Sequence, residues 1–167
     1  MIQPIEKIAI LEALANKYRD MMRNAEKERA DAQSEANSHV GAMESRYDTF
    51  KEEAQYLAQA HTMRVYELES GVQKLESLLT VVRSGGMQGD RRVKLASVVL
   101  IEGDDGKETL LFVAPFGGGE AMSIGGRSCR VITPSSPLGQ AIMNRLEEDE
   151  IETPLGASKN GWIKTVM

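Results

Sequence analysis

Cysteine is almost missing from this chain: the only one among its 167 residues is Cys129. An internal disulfide is therefore excluded, and a reducing, cytoplasmic setting is the expectation. Histidine is nearly as scarce. His39 and His61 stand 22 positions apart, and no Cys/His cluster has the spacing of a zinc site. Aromatic residues make up 5%, with three Phe and one Trp, too few to furnish an aromatic pocket easily. No stretch approaches the ~18 apolar residues of a membrane helix. The opening residues lack a signal peptide's charge-then-apolar layout, and Glu6 and Glu12 interrupt the apolar run. Excess positive charge is missing too. The net charge of −5 argues against general coating of nucleic acid, although a local patch can still act near it.

What is present falls into two compositions. Residues 1–84 hold only Gly41 and Gly71 and one proline, Pro4, and are rich in Ala, Glu, Lys, Arg, Gln and Met, which favour helix. Residues 85–167 hold 13 of the 15 glycines and four of the five prolines. The change occurs at Ser84-Gly85-Gly86-Met87-Gln88-Gly89-Asp90, a flexible linker by composition. The domain expectation is a helical part at 1–84, a linker at 85–92 and a β-rich part at 93–167.

Tyr47, Lys51, Ala54, Ala58, His61, Val65, Leu68, Val72, Leu75, Leu79 and Val82 recur in alternating steps of four and three, the spacing of a coiled-coil seam. A weaker seam runs through Ile8, Leu11, Leu14, Tyr18, Met21, Ala25 and Ala32. Both are strongest at the ends remote from residue 43. An antiparallel hairpin produces that pattern, with Ile8–Leu14 facing Leu75–Val82. A parallel dimeric coiled coil is the rival arrangement. Arms of ~35 residues span roughly 50 Å. The turn is expected at 38–42, where Gly41 gives backbone freedom.

The second half reads as strands at 97–102, 108–114, 129–133, 150–153 and 161–166. Gly103-Asp104-Asp105-Gly106 is a hairpin turn. Ser136 suits a helix N-cap and Pro137 the first helical position. One helix on an antiparallel sheet is an α+β arrangement.

Glu44, Asp48 and Glu52 are spaced by four and stack on one helix face near the turn. Such a cluster can hold a divalent ion with a partner's help, or orient a water; the blander reading is a solvated acidic face. Arg19, Arg23 and Lys27 form a basic ladder, a candidate contact for RNA or for an acidic protein surface. More often such a ladder pairs with its neighbours, here Asp20, Glu26 and Glu28. Tyr47, Phe50 and Tyr56 read as hairpin packing rather than as stacking platforms. Phe116-Gly117-Gly118-Gly119-Glu120 lacks the Lys-Ser/Thr of a phosphate loop and reads as a surface loop. Cys129 reads as a buried structural thiol.

The segment Arg130-Val-Ile-Thr-Pro-Ser-Ser-Pro-Leu-Gly-Gln-Ala-Ile, with Ile151-Glu-Thr-Pro154 downstream, resembles the C-terminal domain of the Gre (GreA/GreB) transcription elongation factors. Arg92-Val-Lys-Leu-Ala-Ser-Val98 is similar to that domain's entry. Asp48-Thr-Phe-Lys-Glu-Glu-Ala-Gln-Tyr56 is similar to the family's tip, Asp-Leu-basic-Glu-Asn-Ala-Glu-Tyr, with one extra residue after the Asp. The family has Asn where Glu53 stands and Gly where Tyr47 stands.

The resemblance implies an FKBP-like C-terminal domain and a helical hairpin that enters the secondary channel of RNA polymerase. It implies that Asp48 and Glu52 match the two tip acids, which share a magnesium ion at the polymerase active site and activate a water that cleaves backtracked RNA. Glu44 is a third candidate acid. The isolated protein is expected to bind no metal. The polymerase is the enzyme and this chain a monomeric accessory factor, with RNA polymerase and nascent RNA as partners and no membrane. Thr133, Ser135, Ser136 and Pro137 are candidate polymerase contacts, although a helix start explains Ser136 and Pro137 as well. Three other functions stay open: a channel-binding regulator without cleavage, a prolyl isomerase, and a plain coiled-coil interaction module.

Overall fold

The computed structural model describes residues 4–38, 47–86, 91–155 and 158–167. Two long helices come first, α1 at Pro4–Ser38 and α2 at Tyr47–Arg83. Then follow β1 (Val98–Gly103), β2 (Glu108–Val113), β3 (Ala121–Ile124), β4 (Arg127–Ile132), α3 (Pro137–Ile142), β5 (Glu150–Leu155) and β6 (Ser158–Val166). The chain divides into two compact units. One comprises Met1–Ala15 with Gln73–Met167, and the other Asn16–Val72. The linker placed by composition at 85–92 marks a change of residue type, whereas compactness divides the chain within the helices.

In the Asn16–Val72 unit the helices run antiparallel. His61 Nδ1 lies 3.6 Å from Glu28 Oε2. Further along, Gln33 shares a groove with Gln55, Ala58, Gln59 and Thr62. Rising numbers on α1 thus meet falling numbers on α2. The buried seam is Tyr18, Ala25 and Ala32 against Ala58, Val65, Leu68 and Val72. Gly71 is buried beside it. Alanines dominate toward the reversal, so each contact there removes little apolar surface from water. Ser38 ends α1, and the remainder of the turn expected at 38–42 lies outside the described residues.

In the other unit the seam continues with Leu11 and Leu14, and with Leu75 and Leu79. Arg83 and Glu12 form an ion pair across it. A Schellman cap ends α2. Gly85 takes a left-handed φ of 77°. Its N–H donates to Val82 O at 3.2 Å, and that of Gly86 to Val81 O at 3.1 Å.

The sheet order is β3-β4-β2-β1-β6-β5. β1 and β2 form the expected hairpin, paired from Val98↔Phe112 to Glu102↔Glu108. The sheet is mixed rather than wholly antiparallel, because β2 and β4 run parallel. The cause is β3, which adds a strand between those expected at 108–114 and 129–133. It pairs with β4 through the Gly125-Gly126 turn. That hairpin turns the chain once more, so β4 returns in the direction of β2.

Val93, Val99, Ile101, Leu111, Val113, Ile132, Ile142, Ile151 and Ile163 form the core on the α3 face. Across the pleat, Val98, Leu110, Phe112, Cys129 and Val131 are equally buried. Sheets with both faces buried need a second covering layer. The base of the helical pair belongs to the same compact unit as the sheet. Ile10, Ala15 and Leu78 lie off the two-helix seam, yet each is at most 5% exposed. Helical residues outside a seam become buried only where a second neighbour covers them. Glu6 Oε1 also comes within 3.4 Å of the place a Cβ on Gly125 would occupy. Ile10→Ala is therefore expected to cost about as much as Leu14→Ala, roughly 2–5 kcal/mol in urea unfolding. Near-neutrality of Ile10→Ala would show that this helix face has no second neighbour.

Candidate functional site

The reversal between α1 and α2 carries the acidic candidates. Asp48 is the second residue of α2, and position 52 lies one turn further on. The Glu52 side chain is exposed, as is that of Glu53. Glu44 and the side chain of Asp48 lie outside the described residues. Among the described residues, no three His, Cys, Asp or Glu side chains form a metal-ligand group.

The basic ladder on α1 is engaged locally. Arg23 Nη1 lies 3.0 Å from Asp20 Oδ1, with both side chains 71% exposed. Arg19 Nη1 donates to Asn16 Oδ1 at 2.6 Å. Lys27 is exposed. Exposed pairs of this kind contribute about 0–1 kcal/mol, so a phosphate or carboxylate from a partner can displace them cheaply.

The Thr133–Gly139 corner is built more tightly. Ser136 caps α3: its Oγ accepts from Gly139 N at 3.0 Å and donates to Thr133 O at 2.7 Å. Pro137 occupies the first turn, where a missing N–H costs nothing. A Cβ at position 139 would lie 1.9 Å from Thr133 O, so only glycine fits there. Thr133 Oγ1 and Ser135 Oγ lie 3.2 Å apart. Of the four residues singled out here, Ser136 is committed to the fold, while Ser135 and Pro137 are exposed.

The acids and the Thr133–Pro137 corner fall in different compact units. The aromatic expectation at Tyr56 is overturned: its side chain is 74% exposed rather than packed in the hairpin. Met63 and Tyr66 are also well exposed. The seam reading passed over these residues because it followed the buried face. Their steps of seven and three were the available signal. Tyr47 and Phe50 side chains lie outside the described residues.

Among the described residues, Lys7 and Cys129 have shifted acidities. Burial, then the like charge of Lys94, lowers the Lys7 pKa below the usual lysine range. Burial pushes the Cys129 thiol up to about 11 and makes it a poor nucleophile at neutral pH.

No protein-family model and no curated protein sequence matches the chain. Solved structures do resemble it. One is GreA factor homolog 1 (Gfh1) of Thermus thermophilus, at 18% identity over 96% of this chain and 94% of that one, with a TM-score of 0.35. A second structure of the transcription factor Gfh1 gives 18% identity over 91% and 92%, with a TM-score of 0.35. The prokaryotic transcription elongation factor GreA/GreB from Nitrosomonas europaea gives 18% identity over 56% of this chain and 78% of that one, with a TM-score of 0.37.

Two expectations follow from the buried groups. Gly139→Ala should cost about 3 kcal/mol or more by urea unfolding, because the clash is with backbone. Ser136→Ala should cost about 1 kcal/mol. Loss from Gly139→Ala no larger than that from Ser136→Ala would remove the steric argument. For Cys129 the folded pKa lies above the ordinary value of 9.0. Its contribution to stability is then complete below pH 9.0 and is lost as pH rises through about 11. Cys129→Ala should flatten that part of the stability–pH curve measured by urea unfolding; an unchanged slope would contradict it.

Proposed function

We propose that the protein binds RNA polymerase, places the α1–α2 reversal in the secondary channel and stimulates cleavage of backtracked RNA through Asp48 and Glu52. The observation that carries this reading is the start of α2 at Tyr47. It puts both acids within the first two turns of α2, one turn apart. Carboxylates at that spacing repel by a few tenths of a kcal/mol, and a shared cation relieves the repulsion. Magnesium takes six oxygen ligands, so Asp48 and Glu52 supply only part of its shell, and polymerase, RNA and water supply the rest. A magnesium ion held there would supply polarisation of the phosphodiester and charge stabilisation for its leaving oxygen. Glu44 is the next candidate ligand. The residues of this chain hold and orient, and the polymerase remains the enzyme.

The sequence similarity of Arg130–Ile142 to the Gre C-terminal domain supports the partner. Within it, Thr133, Ser135 and Pro137 are the proposed contact residues, with Ser136 holding their shape from behind. Arg19, Arg23 and Lys27 are a proposed second contact, to polymerase or nascent RNA. Glu53 favours one other reading. It adds an exposed acid beside Glu52, where the Gre tip has an uncharged Asn. That change suits a channel-binding regulator without cleavage.

Backtracked elongation complexes carrying labelled RNA separate the two. Protein and magnesium should produce 3′ cleavage above the polymerase's own rate. Asp48→Ala and Glu52→Ala should each lower it at least 100-fold, or about 2.7 kcal/mol in barrier, with binding retained. Binding without cleavage selects the regulator, and absence of binding sinks both readings.

A further inference from the structure

Beyond the tip acids, α2 carries an exposed strip. At ~100° per residue, Glu52, Tyr56, Gln59, Met63 and Tyr66 fall within about 80° of one another around the helix. Tyr56, Met63 and Tyr66 are 74%, 62% and 59% exposed. Exposed large apolar side chains aligned on one face mark interaction surfaces more often than isolated ones do. Along the margin facing α1 lies a groove lined by Gln33, Gln55, Ala58, Gln59, Thr62 and Met63.

Charge decides what fits this strip. Between 52 and 70, α2 has four carboxylates, Glu52, Glu53, Glu67 and Glu69, against the single Arg64. Arg64 Nη1 lies 3.6 Å from Glu67 Oε2. A nucleic-acid backbone is repelled by this surround, and a second copy of the chain would bring like charge onto like. A basic surface is attracted. Arginine matches each element of the strip. Its guanidinium stacks on tyrosine faces, donates to the amide and hydroxyl oxygens of the groove, and lays its apolar stem against Met63 and Ala58.

We propose that Tyr56, Met63 and Tyr66, with the adjoining glutamine groove, are a docking strip for an arginine-bearing surface of RNA polymerase. This rests on the functional reading above and adds to it the face of the arm that the polymerase grips. The strip begins one turn beyond Glu52, so a contact here fixes how far the acids advance and which way they turn.

The test measures affinity of the full chain for purified RNA polymerase across a salt series. Tyr56→Ser/Met63→Ser/Tyr66→Ser should bind about tenfold more weakly or worse, with the wild-type melting curve by circular dichroism, because these side chains are already in water. Glu67→Lys/Glu69→Lys should weaken binding at low salt and reduce its salt dependence. Wild-type affinity in the triple variant overturns the strip and leaves the functional reading standing. Tighter binding by the charge-reversed variant overturns the basic partner. A wild-type dimer in sedimentation that the triple variant abolishes assigns the strip to a second copy and overturns the proposal. Failure of the wild-type chain to bind polymerase overturns both the strip and the functional reading.

Discussion

Burial of one helix segment against two neighbours at once organises the first compact unit. At ~100° per residue, Ile10, Leu14, Leu11 and Ala15 follow one another over about 140° of the circumference of α1, and all are at most 3% exposed. A two-helix seam covers one stripe only. In the same compact unit the second sheet face, at Val98, Phe112, Cys129 and Val131, is also fully buried. The helix base thus completes the domain that follows it in sequence. Cooperative loss of that contact exposes apolar surface on both elements, at about 25 cal/mol per Å² on each side.

The same economy appears at the α3 corner. Ser136 accepts from one backbone N–H and donates to one backbone carbonyl, and Gly139 admits that carbonyl at a distance no side chain tolerates. The result is a short turn with little freedom to move. Ser135 and Pro137 stand on its outer side as exposed groups held in a fixed relation. Rigid presentation limits the ordering cost that a partner must meet on binding. Folding and recognition here use adjacent atoms of one segment, which is why sequence pattern alone could not separate the two roles.

Legibility varied with the range of the interactions involved. The α2 seam was readable because its signal repeats through three dozen residues, and Val65, Leu68, Val72, Leu75 and Leu79 are buried as that spacing requires. The β1–β2 hairpin and the Ser136 cap were readable because turn and cap chemistry is local. β3 was not, since four residues, Ala121–Ile124, between two glycine groups give too short an alternation. Its omission hid the parallel pairing of β2 with β4. The acids at 48 and 52 were visible as spacing. The exposure of Tyr56 was not, because an aromatic residue near a seam fits packing and solvent equally until its angle around the helix is known.

By itself the sequence determined the elements: two long amphipathic helices, a Gly-Gly helix stop, a Gly-Asp-Asp-Gly hairpin and a Ser-Pro helix start. Each follows from dihedral preferences and hydrogen bonds among residues a few positions apart. Tertiary structure alone decided three things. It set the strand order, buried Ile10, Ala15 and Leu78 although they lie off the seam, and left Tyr56, Met63 and Tyr66 in water. Those outcomes depend on which faces meet between residues far apart in the chain, and periodicity within one element carries no record of what covers it.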